Sequence, residues 1–280
     1  MQPTLIPTPA GHAIYSHIFI PHTKAKASII LAPAIGIAQK YYFPLADWLC
    51  EHGYQVLTFD YYGQGQSLEG RLRDVRSSVK DWAGNDCASV LSHARSLLPE
   101  QPIYWIGHSL GGQIVPFIDG NEHISKLITV ACGSGYWKDN AKHTHARALL
   151  LWKVLMPVLT ALYGYFPGKK LNLIGDLPKR AALEWRRWCL TPRYAAGFSA
   201  EHQALYSRFT QPIVGLAFSD DEMISKANVH TLHASFDQAA VDLQFIEPLD
   251  VGAKRIGHLG FFRPEHKEGA WQRLLPALSS

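Results

Sequence analysis

The sequence predicts an α/β protein with a mostly parallel, doubly wound sheet that is interrupted by a helical insertion. Short runs of β-branched and aromatic residues alternate with helix-like stretches, the pattern of a parallel sheet covered by helices. The runs Ser28–Ala32 (SIILA) and Ile213–Phe218 (IVGLAF) are apolar without alternation, as expected of strands covered on both faces. Between about Gly133 and Arg208 the alternation stops, and the chain has the pattern of helices.

The strands are predicted where such runs end in residues that favour turns: Ala13–Ile20, Ser28–Ala32, Gln55–Asp60, Ile103–Ile106, Lys126–Ala131, Ile213–Phe218 and Leu243–Ile246. Helix Phe43–His52 is amphipathic and ends before Gly53, a residue type common just after helices. Helix Val79–Leu98 follows two serines and ends before Pro99. We assign residues 1–133 and 208–280 to the core and residues 134–207 to a helical cap. Within the cap we predict the helices Ala146–Leu155 and Lys179–Cys189.

Composition and charge exclude several classes of protein. Hydrophobic residues make up 47% and charged residues 18%, which is ordinary for a globular protein. The net charge is +4, but Lys and Arg are scattered and form no basic stripe, so we expect no nucleic-acid partner. The amino-terminal segment lacks a basic region followed by an apolar one, which predicts no secretion signal. No uninterrupted apolar run reaches about 18 residues, the length of a membrane span. The four cysteines have no metal-binding spacing, which predicts reduced thiols, a cytoplasmic location and no metal site.

A candidate nucleophile lies in the segment Gly107-His108-Ser109-Leu110-Gly111. It follows a predicted strand and precedes a helical run that begins at Gln113. A strand-to-helix turn this tight strains its central residue and requires small residues two positions away on each side, which the two glycines provide. The turn would raise the Ser109 hydroxyl at the carboxyl edge of the sheet. The simpler alternative is a glycine-rich turn in which the serine has no function.

A serine nucleophile needs a base, and the base needs an acid that orients it. His258 follows the last predicted strand between glycines, and we predict that it is the base. An acidic run follows the strand before that one. Within the run we predict Asp221 as the acid. Asp220 remains an alternative, because one of the two aspartates could cap a helix that begins near Met223, and Glu222 is a third choice.

Several segments carry a resemblance to a known family. The stretch from Ser28 to Ser67, which includes Asp60–Ser67 (DYYGQGQS), resembles the monoglyceride-lipase and S33-type branch of the α/β-hydrolases. The closing segment Gly257–Arg263 (GHLGFFR) resembles a group of predicted bacterial α/β-hydrolases. The resemblance covers the sheet but not the cap. It implies an α/β-hydrolase fold, in which the triad residues follow one another as Ser, Asp and His. It also implies that Asp60 shapes a turn and takes no part in the chemistry.

A tetrahedral intermediate needs two preorganised N–H donors, the oxyanion hole. Leu110, the residue after the nucleophile, is predicted to provide one. The other is expected in the loop after Ser28–Ala32, where the family usually carries His-Gly. This chain carries Pro33-Ala34 instead. Because Pro33-Ala34 takes the place of His-Gly, the N–H of the next residue, Ile35, is the second predicted donor, and Ala34 is the alternative.

Together these features predict a serine hydrolase that acts on a small-molecule carboxylic ester, with an acyl or lipid-like substrate as one option, and that needs no cofactor. Two alternatives stay open. The same triad could act on a peptide, a thioester or a carbon–carbon bond or transfer an acyl group, or the fold could be retained by a non-catalytic binding protein.

The apolar stretch Ala148–Phe166 of the cap has three possible roles. The first is a helix packed on the core, the second is a wall of an acyl pocket, and the least favoured is contact with a membrane surface. Lys153 and Pro157 argue against a membrane span. The sequence does not indicate an oligomeric state.

Overall fold

The computed structural model describes residues 1–279, and its largest element is an eight-stranded mixed sheet. The strands of the chain are β1 Gln2–Pro7, β2 Ala13–Phe19, β3 Ser28–Ala32, β4 Gln55–Phe59, β5 Ile103–His108, β6 Lys126–Val130, β7 Tyr165–Phe166, β8 Leu177–Pro178, β9 Ile213–Phe218 and β10 Val241–Ile246. The large sheet has the order β1-β2-β4-β3-β5-β6-β9-β10, and β7 pairs with β8 alone.

The pairing of the strands places the loops after β3, β5 and β9 at one edge of the sheet. Strands β1 and β2 pair antiparallel, as do β2 and β4, and all the other neighbours in the large sheet are parallel. Ala32 pairs with Gly107, and Val130 pairs with both His108 and Leu216. The carboxyl ends of these strands therefore meet, and this edge is where open α/β sheets bind ligands.

Strand β1 is absent from the sequence-based prediction. It lies at the edge of the sheet, and of its residues only Ile6 is buried. A strand with one buried side chain leaves little hydrophobic pattern in the sequence.

The helices cover both faces of the sheet. They are α1 Phe43–Glu51, α2 (Val79–Asp81, a π turn Trp82–Cys87 and Ala88–Leu97), α3 Leu110–Gln113, α4 (His145–Leu150, a π turn Leu151–Leu155 and Met156–Tyr163), α5 Lys179–Leu190, α6 Ala200–Arg208, α7 Lys226–His233, α8 Gly257–Gly260 and α9 Leu274–Ser279. A capping box fixes the start of α2, because the Ser78 hydroxyl accepts from the Asp81 N–H and the Asp81 carboxylate accepts from the Ser78 N–H.

Two of the predicted helix boundaries are wrong. Helix α3 begins at Leu110, directly after the serine, and not at Gln113. Helix α4 continues to Tyr163 and does not end at Leu155. Pro157 is tolerated there because it directly follows the π turn, and the Trp152 carbonyl five residues before it accepts a hydrogen bond from the Arg186 side chain instead.

Residues 134–207, predicted to form the cap, contain α4, α5, the β7–β8 pair and most of α6. They share a hydrophobic core with the sheet. Trp152 and Trp188 of this segment belong to the same buried cluster as Ile30 of β3 and Leu57 of β4. A second buried cluster on the other face joins α1 and α9 to the sheet.

The predicted cap also touches the loop after β3. The Gly175 N–H donates to the Gly36 carbonyl at 3.2 Å. Gly36 has a φ of 75°, and a Cβ at this position would lie 2.7 Å from the Gly175 nitrogen. Only glycine fits such a contact.

Candidate active site

Ser109 lies at a strained turn between β5 and α3. Its φ is 49° and its ψ is −115°, a conformation that costs a non-glycine residue about 1–3 kcal/mol. Two glycines make the turn possible. A Cβ on Gly107 would lie 2.4 Å from the Gly112 backbone, and a Cβ on Gly111 would lie 2.4 Å from the Ala32 carbonyl oxygen. The spacing on which the sequence prediction rested therefore has a direct steric cause.

The imidazole of His258 is held by Asp221. Its Nδ1 lies 2.8 Å from Oδ2 of Asp221, and both side chains are at most 3% exposed. The other carboxylate oxygen, Oδ1, accepts from the backbone N–H groups of Met223 and Ile224 at 2.8 and 2.9 Å. An ionised carboxylate only accepts, so Nδ1 carries the proton and Nε2 remains free to take one.

The two neighbouring acids hold the backbone around His258. Asp220 accepts from the N–H groups of Ile256 and Gly257 at 2.8 and 3.0 Å. Glu222 accepts from the His258 N–H at 3.2 Å and lies 3.4 Å from Arg255. The three consecutive acids therefore have different partners, and of the three only Asp221 hydrogen-bonds to the imidazole.

Partial burial alone would raise the pKa of Glu222. Hydrogen bonds from its own N–H and that of His258, together with the Arg255 charge, outweigh burial and lower this pKa. The glutamate is therefore a carboxylate at neutral pH. The helix expected near Met223 is not present, since α7 begins at Lys226 and is capped by Ser225.

Tyr42 and His108 form a hydrogen-bond network that the sequence analysis did not identify. The Ala34 N–H donates to the Tyr42 oxygen at 2.8 Å, and the Tyr42 hydroxyl lies 2.8 Å from His108 Nδ1. His108 Nε2 lies 3.0 Å from the His258 carbonyl oxygen. Because that carbonyl can only accept, Nε2 carries the proton, and the Tyr42 hydroxyl therefore donates to Nδ1. We call these contacts the Tyr42–His108 network.

The network requires a neutral His108. Burial holds the pKa of His108 well below its usual value, and the nearby His258 lowers it further, although the bond to the His258 carbonyl opposes both. The ring therefore stays neutral at physiological pH. One signal of this role was present in the sequence, because the histidine lies inside the nucleophile motif.

The loop after β3 is fixed on both sides of Ile35. Side chains bind the residues around it: Tyr61 donates to the Pro33 carbonyl at 3.0 Å, Tyr42 accepts from the Ala34 N–H at 2.8 Å, and Gln64 accepts from the Gly36 N–H at 3.1 Å. Within residues 1–279, the N–H groups of Ile35 and Leu110 make no hydrogen bond. Of the two sequence-predicted choices, Ala34 is thus engaged and Ile35 is free.

The serine and the histidine are not yet hydrogen-bonded to each other. In the described part of the chain, neither Ser109 Oγ nor His258 Nε2 has a hydrogen-bond partner. Ser109 is 9% exposed and His258 is 3% exposed, so both lie beneath the surface. Hydrogen bonds between catalytic groups are often long in an enzyme without substrate and shorten when substrate binds.

Cys132 packs beneath the turn that carries Ser109. Its thiol lies 3.2 Å from the Gly107 carbonyl and 3.1 Å from that of Ser109. Burial raises its pKa far above the usual value, so the thiol is neutral and unreactive. All four cysteines are free thiols in the structure. Within the described residues, no group of three or more His, Cys, Asp or Glu side chains could hold a metal ion.

A cleft of about 620 Å³ lies beside the loop after β3, and its lining includes Gly36, Gln64 and Lys169. Neither Ser109 nor His258 is among its lining residues. This cleft therefore does not define the space in which a substrate would meet the serine.

The sheet order and the serine turn define an α/β-hydrolase fold, as the sequence predicts. Residues 23–247 match the family described as serine aminopeptidase, S33. The match covers most of the chain, so the chain belongs to this family. The resemblance noted in the sequence is thereby confirmed.

Solved structures share the fold at low sequence identity. An esterase of Exiguobacterium antarcticum is 15% identical, with a TM-score of 0.64 and 100% of both chains covered. A monoacylglycerol lipase of Paleococcus ferrophilus is 15% identical, with a TM-score of 0.61 over 95% of this chain and 98% of that one. Est816, described as an N-acyl homoserine lactone degrading enzyme, is 14% identical, with a TM-score of 0.61 over 98% and 99% of the two chains. A comparison with curated protein sequences finds no match.

Proposed function

We propose that this protein is a serine hydrolase that cleaves carboxylic esters through an acyl-enzyme. The observation that carries the proposal is that two features of the site lie at one edge of the sheet. One is the strained turn that presents Ser109, and the other is the buried His258–Asp221 hydrogen bond of 2.8 Å. This arrangement has the parts of a nucleophile, a base and an orienting acid.

In the proposed reaction, Ser109 Oγ attacks the ester carbonyl while His258 Nε2 takes its proton. Asp221 keeps the imidazole in the required tautomer and stabilises the imidazolium that forms. The N–H groups of Leu110 and Ile35 bind the oxyanion. His258 then protonates the leaving alcohol, and the acyl-enzyme forms. A water molecule, deprotonated by His258, attacks the acyl-enzyme, and His258 returns that proton to Ser109 Oγ as the acid leaves. No step needs a cofactor.

The engagement of the acids next to His258 favours an ester over a peptide substrate. An aminopeptidase needs a negative group to bind the free α-ammonium of its substrate. The acids of the loop after β9 are all engaged by the His258 segment or by their own loop, so they do not provide that group. The similar folds described as esterases and as a monoacylglycerol lipase agree with ester chemistry.

The test is a substrate panel with wild type and Ser109→Ala. We expect wild type to hydrolyse p-nitrophenyl acyl esters and the variant to fall to the background rate. Aminoacyl p-nitroanilides in the same panel test the peptidase alternative, which would be supported if they alone were cleaved. A fluorophosphonate probe should label wild type but not the variant. Equal ester hydrolysis by both proteins, or no labelling of wild type, would overturn the proposal and favour a non-catalytic binding protein.

A further inference from the structure

Helix α4 presents a stripe of large apolar side chains to the solvent. They recur every four residues and so lie on one helix face, and they are 51%, 47%, 49% and 75% exposed: Leu150, Val154, Val158 and Leu162. We call these four residues the α4 stripe. The opposite face is buried against the protein through Trp152, Met156 and Thr160. The helix is thus anchored to the protein by one face, and the stripe is a second apolar face of which about half or more is exposed to solvent.

The charged residues of the chain segment that contains the stripe are all basic. Residues 140–175 contain no acidic residue and five basic ones: Lys142, Arg147, Lys153, Lys169 and Lys170. The rest of the chain has 22 basic and 23 acidic residues, so the net charge of +4 comes from this segment alone. The charge and the apolar stripe therefore occupy the same part of the molecule.

Three of these cations are placed along the stripe. Arg147 lies one helical turn before Leu150, and the exposed Lys153 directly precedes Val154. At the other end of α4, the Lys170 ammonium lies 4.6 Å from the ring centre of Tyr163. An apolar stripe with cations at its start, its flank and its end matches a surface that is apolar inside and negative outside.

A membrane-spanning role does not fit the fold. By length and composition, the helical run Lys142–Tyr163 is long and apolar enough to cross a membrane. Of the residues in its most apolar 18-residue stretch, 17% are buried. However, the strands on either side of the insertion, β6 and β9, are neighbours in one sheet. Both ends of the helix must return to that sheet, and a span would pull Trp152 and Met156 out of the core cluster that contains them.

A second copy of the chain is also a poor occupant of the stripe. A symmetric contact through this face would bring two segments of charge +5 together, which Coulomb repulsion opposes. We infer that α4 binds the protein to the surface of an anionic lipid bilayer. The α4 stripe enters the boundary between headgroups and acyl chains, while Arg147, Lys153 and Lys170 contact the headgroups. This inference does not rest on the proposed hydrolase activity.

The test is sedimentation of the full chain with phosphatidylcholine vesicles that contain or lack phosphatidylglycerol. We expect binding to the anionic vesicles and little binding to the neutral ones. Each cation near the surface contributes about 1 kcal/mol, so the triple variant R147Q/K153Q/K170Q should bind about 100-fold more weakly. Replacing the stripe with glutamines, as L150Q/V154Q/V158Q/L162Q, should abolish binding.

The control variant L5Q/L249Q changes two apolar residues that are 65% and 83% exposed but lie elsewhere. It should bind as wild type does. Circular dichroism and thermal unfolding check that each variant is folded, and the stripe variant should fold because its changed residues are exposed. The inference is overturned if wild type stays in the supernatant with both kinds of vesicle, or if the stripe variant still binds. It is also overturned if light scattering shows a wild-type dimer that the stripe variant disrupts while vesicles are not bound.

Discussion

The substitution Tyr42→Phe tests whether the Tyr42–His108 network positions the oxyanion loop. It removes one hydroxyl and keeps the ring, which is buried and packs edge-on against Phe262 at a centroid distance of 4.7 Å. The Ala34 N–H loses its acceptor, and His108 Nδ1 loses its donor. Both groups are buried, so water cannot readily replace the hydroxyl.

The size of the effect follows from these two lost hydrogen bonds. A buried polar group left unpaired costs about 1–3 kcal/mol, so two give a destabilisation of about 2–6 kcal/mol, and we expect about 3 kcal/mol after local relaxation. An unfolding entropy of about 2.1 cal/mol/K per residue converts this into a Tm lower by about 5 °C for a chain of this length. Loss of one oxyanion donor lowers kcat by about 10²–10³-fold. Displacement of Ile35, the neighbour of Ala34, should lower kcat by about 10–100-fold.

Thermal unfolding and ester-hydrolysis kinetics measure the two effects on the same samples. The matched control is Tyr206→Phe, which removes another fully buried hydroxyl, one that donates to the Gln113 carbonyl at 2.7 Å. It should lower Tm while leaving kcat within about twofold of wild type, because no group of the oxyanion loop is lost. The reasoning is refuted if Tyr42→Phe lowers Tm but leaves kcat unchanged. A higher kcat would instead identify the released Ala34 N–H as the better oxyanion donor.

Three further predictions concern other parts of the structure. Asp221→Asn should lower kcat by about 10⁴-fold through the wrong imidazole tautomer, whereas Asp220→Asn should mainly lower Tm; comparable kcat losses would contradict this assignment. Gly111→Ala should destabilise the protein by about 1–3 kcal/mol through its clash with Ala32 at the end of β3, while Gly84→Ala, in α2 with open space around it, should stabilise it by about 0.4–1 kcal/mol in urea unfolding. Burial, aided by His230 and opposed by the Val229 hydrogen bond, lowers the pKa of His233 to about 4. The unfolded imidazole then binds protons at higher pH than the folded one, so stability is lost as pH falls from about 6.5 to about 4, by about 3 kcal/mol in total. Urea unfolding of His233→Gln should show a flatter pH dependence, and an unchanged slope would contradict the shift.

The sequence predicted best what depends on local geometry. The alternation of strands and helices and the glycine spacing around Ser109 act over a few residues, and both are readable without a fold. The prediction of Asp221 left Asp220 open, because adjacent carboxylates differ only in what the distant segment before His258 offers them. The prediction of Ile35 left Ala34 open, because the distant contact that separates the two is not visible in the sequence.

Ile35 and Ala34 differ as oxyanion donors because the hydroxyl oxygen of Tyr42 accepts a hydrogen bond from the Ala34 N–H. It lies eight residues further along the chain and reaches the Ala34 N–H only because α1 begins just after it. No spacing rule predicts that contact. The exposed face of α4 was also not predictable, because an apolar pattern in the sequence does not distinguish a buried helix face from an exposed one.

The Tyr42–His108 network also explains how the backbone of His258 is held in place while its ring stays free to transfer protons. His108 binds the His258 backbone carbonyl, while Asp221 binds the His258 ring. The position of the residue and the tautomer of its imidazole are therefore fixed by separate partners. The rings of the two histidines are 5.2 Å apart, so a charged His108 would oppose the imidazolium that the proposed mechanism forms at His258. Burial keeps His108 neutral, so His108 adds no second positive charge, and the carboxylate of Asp221 stabilises the charge at His258.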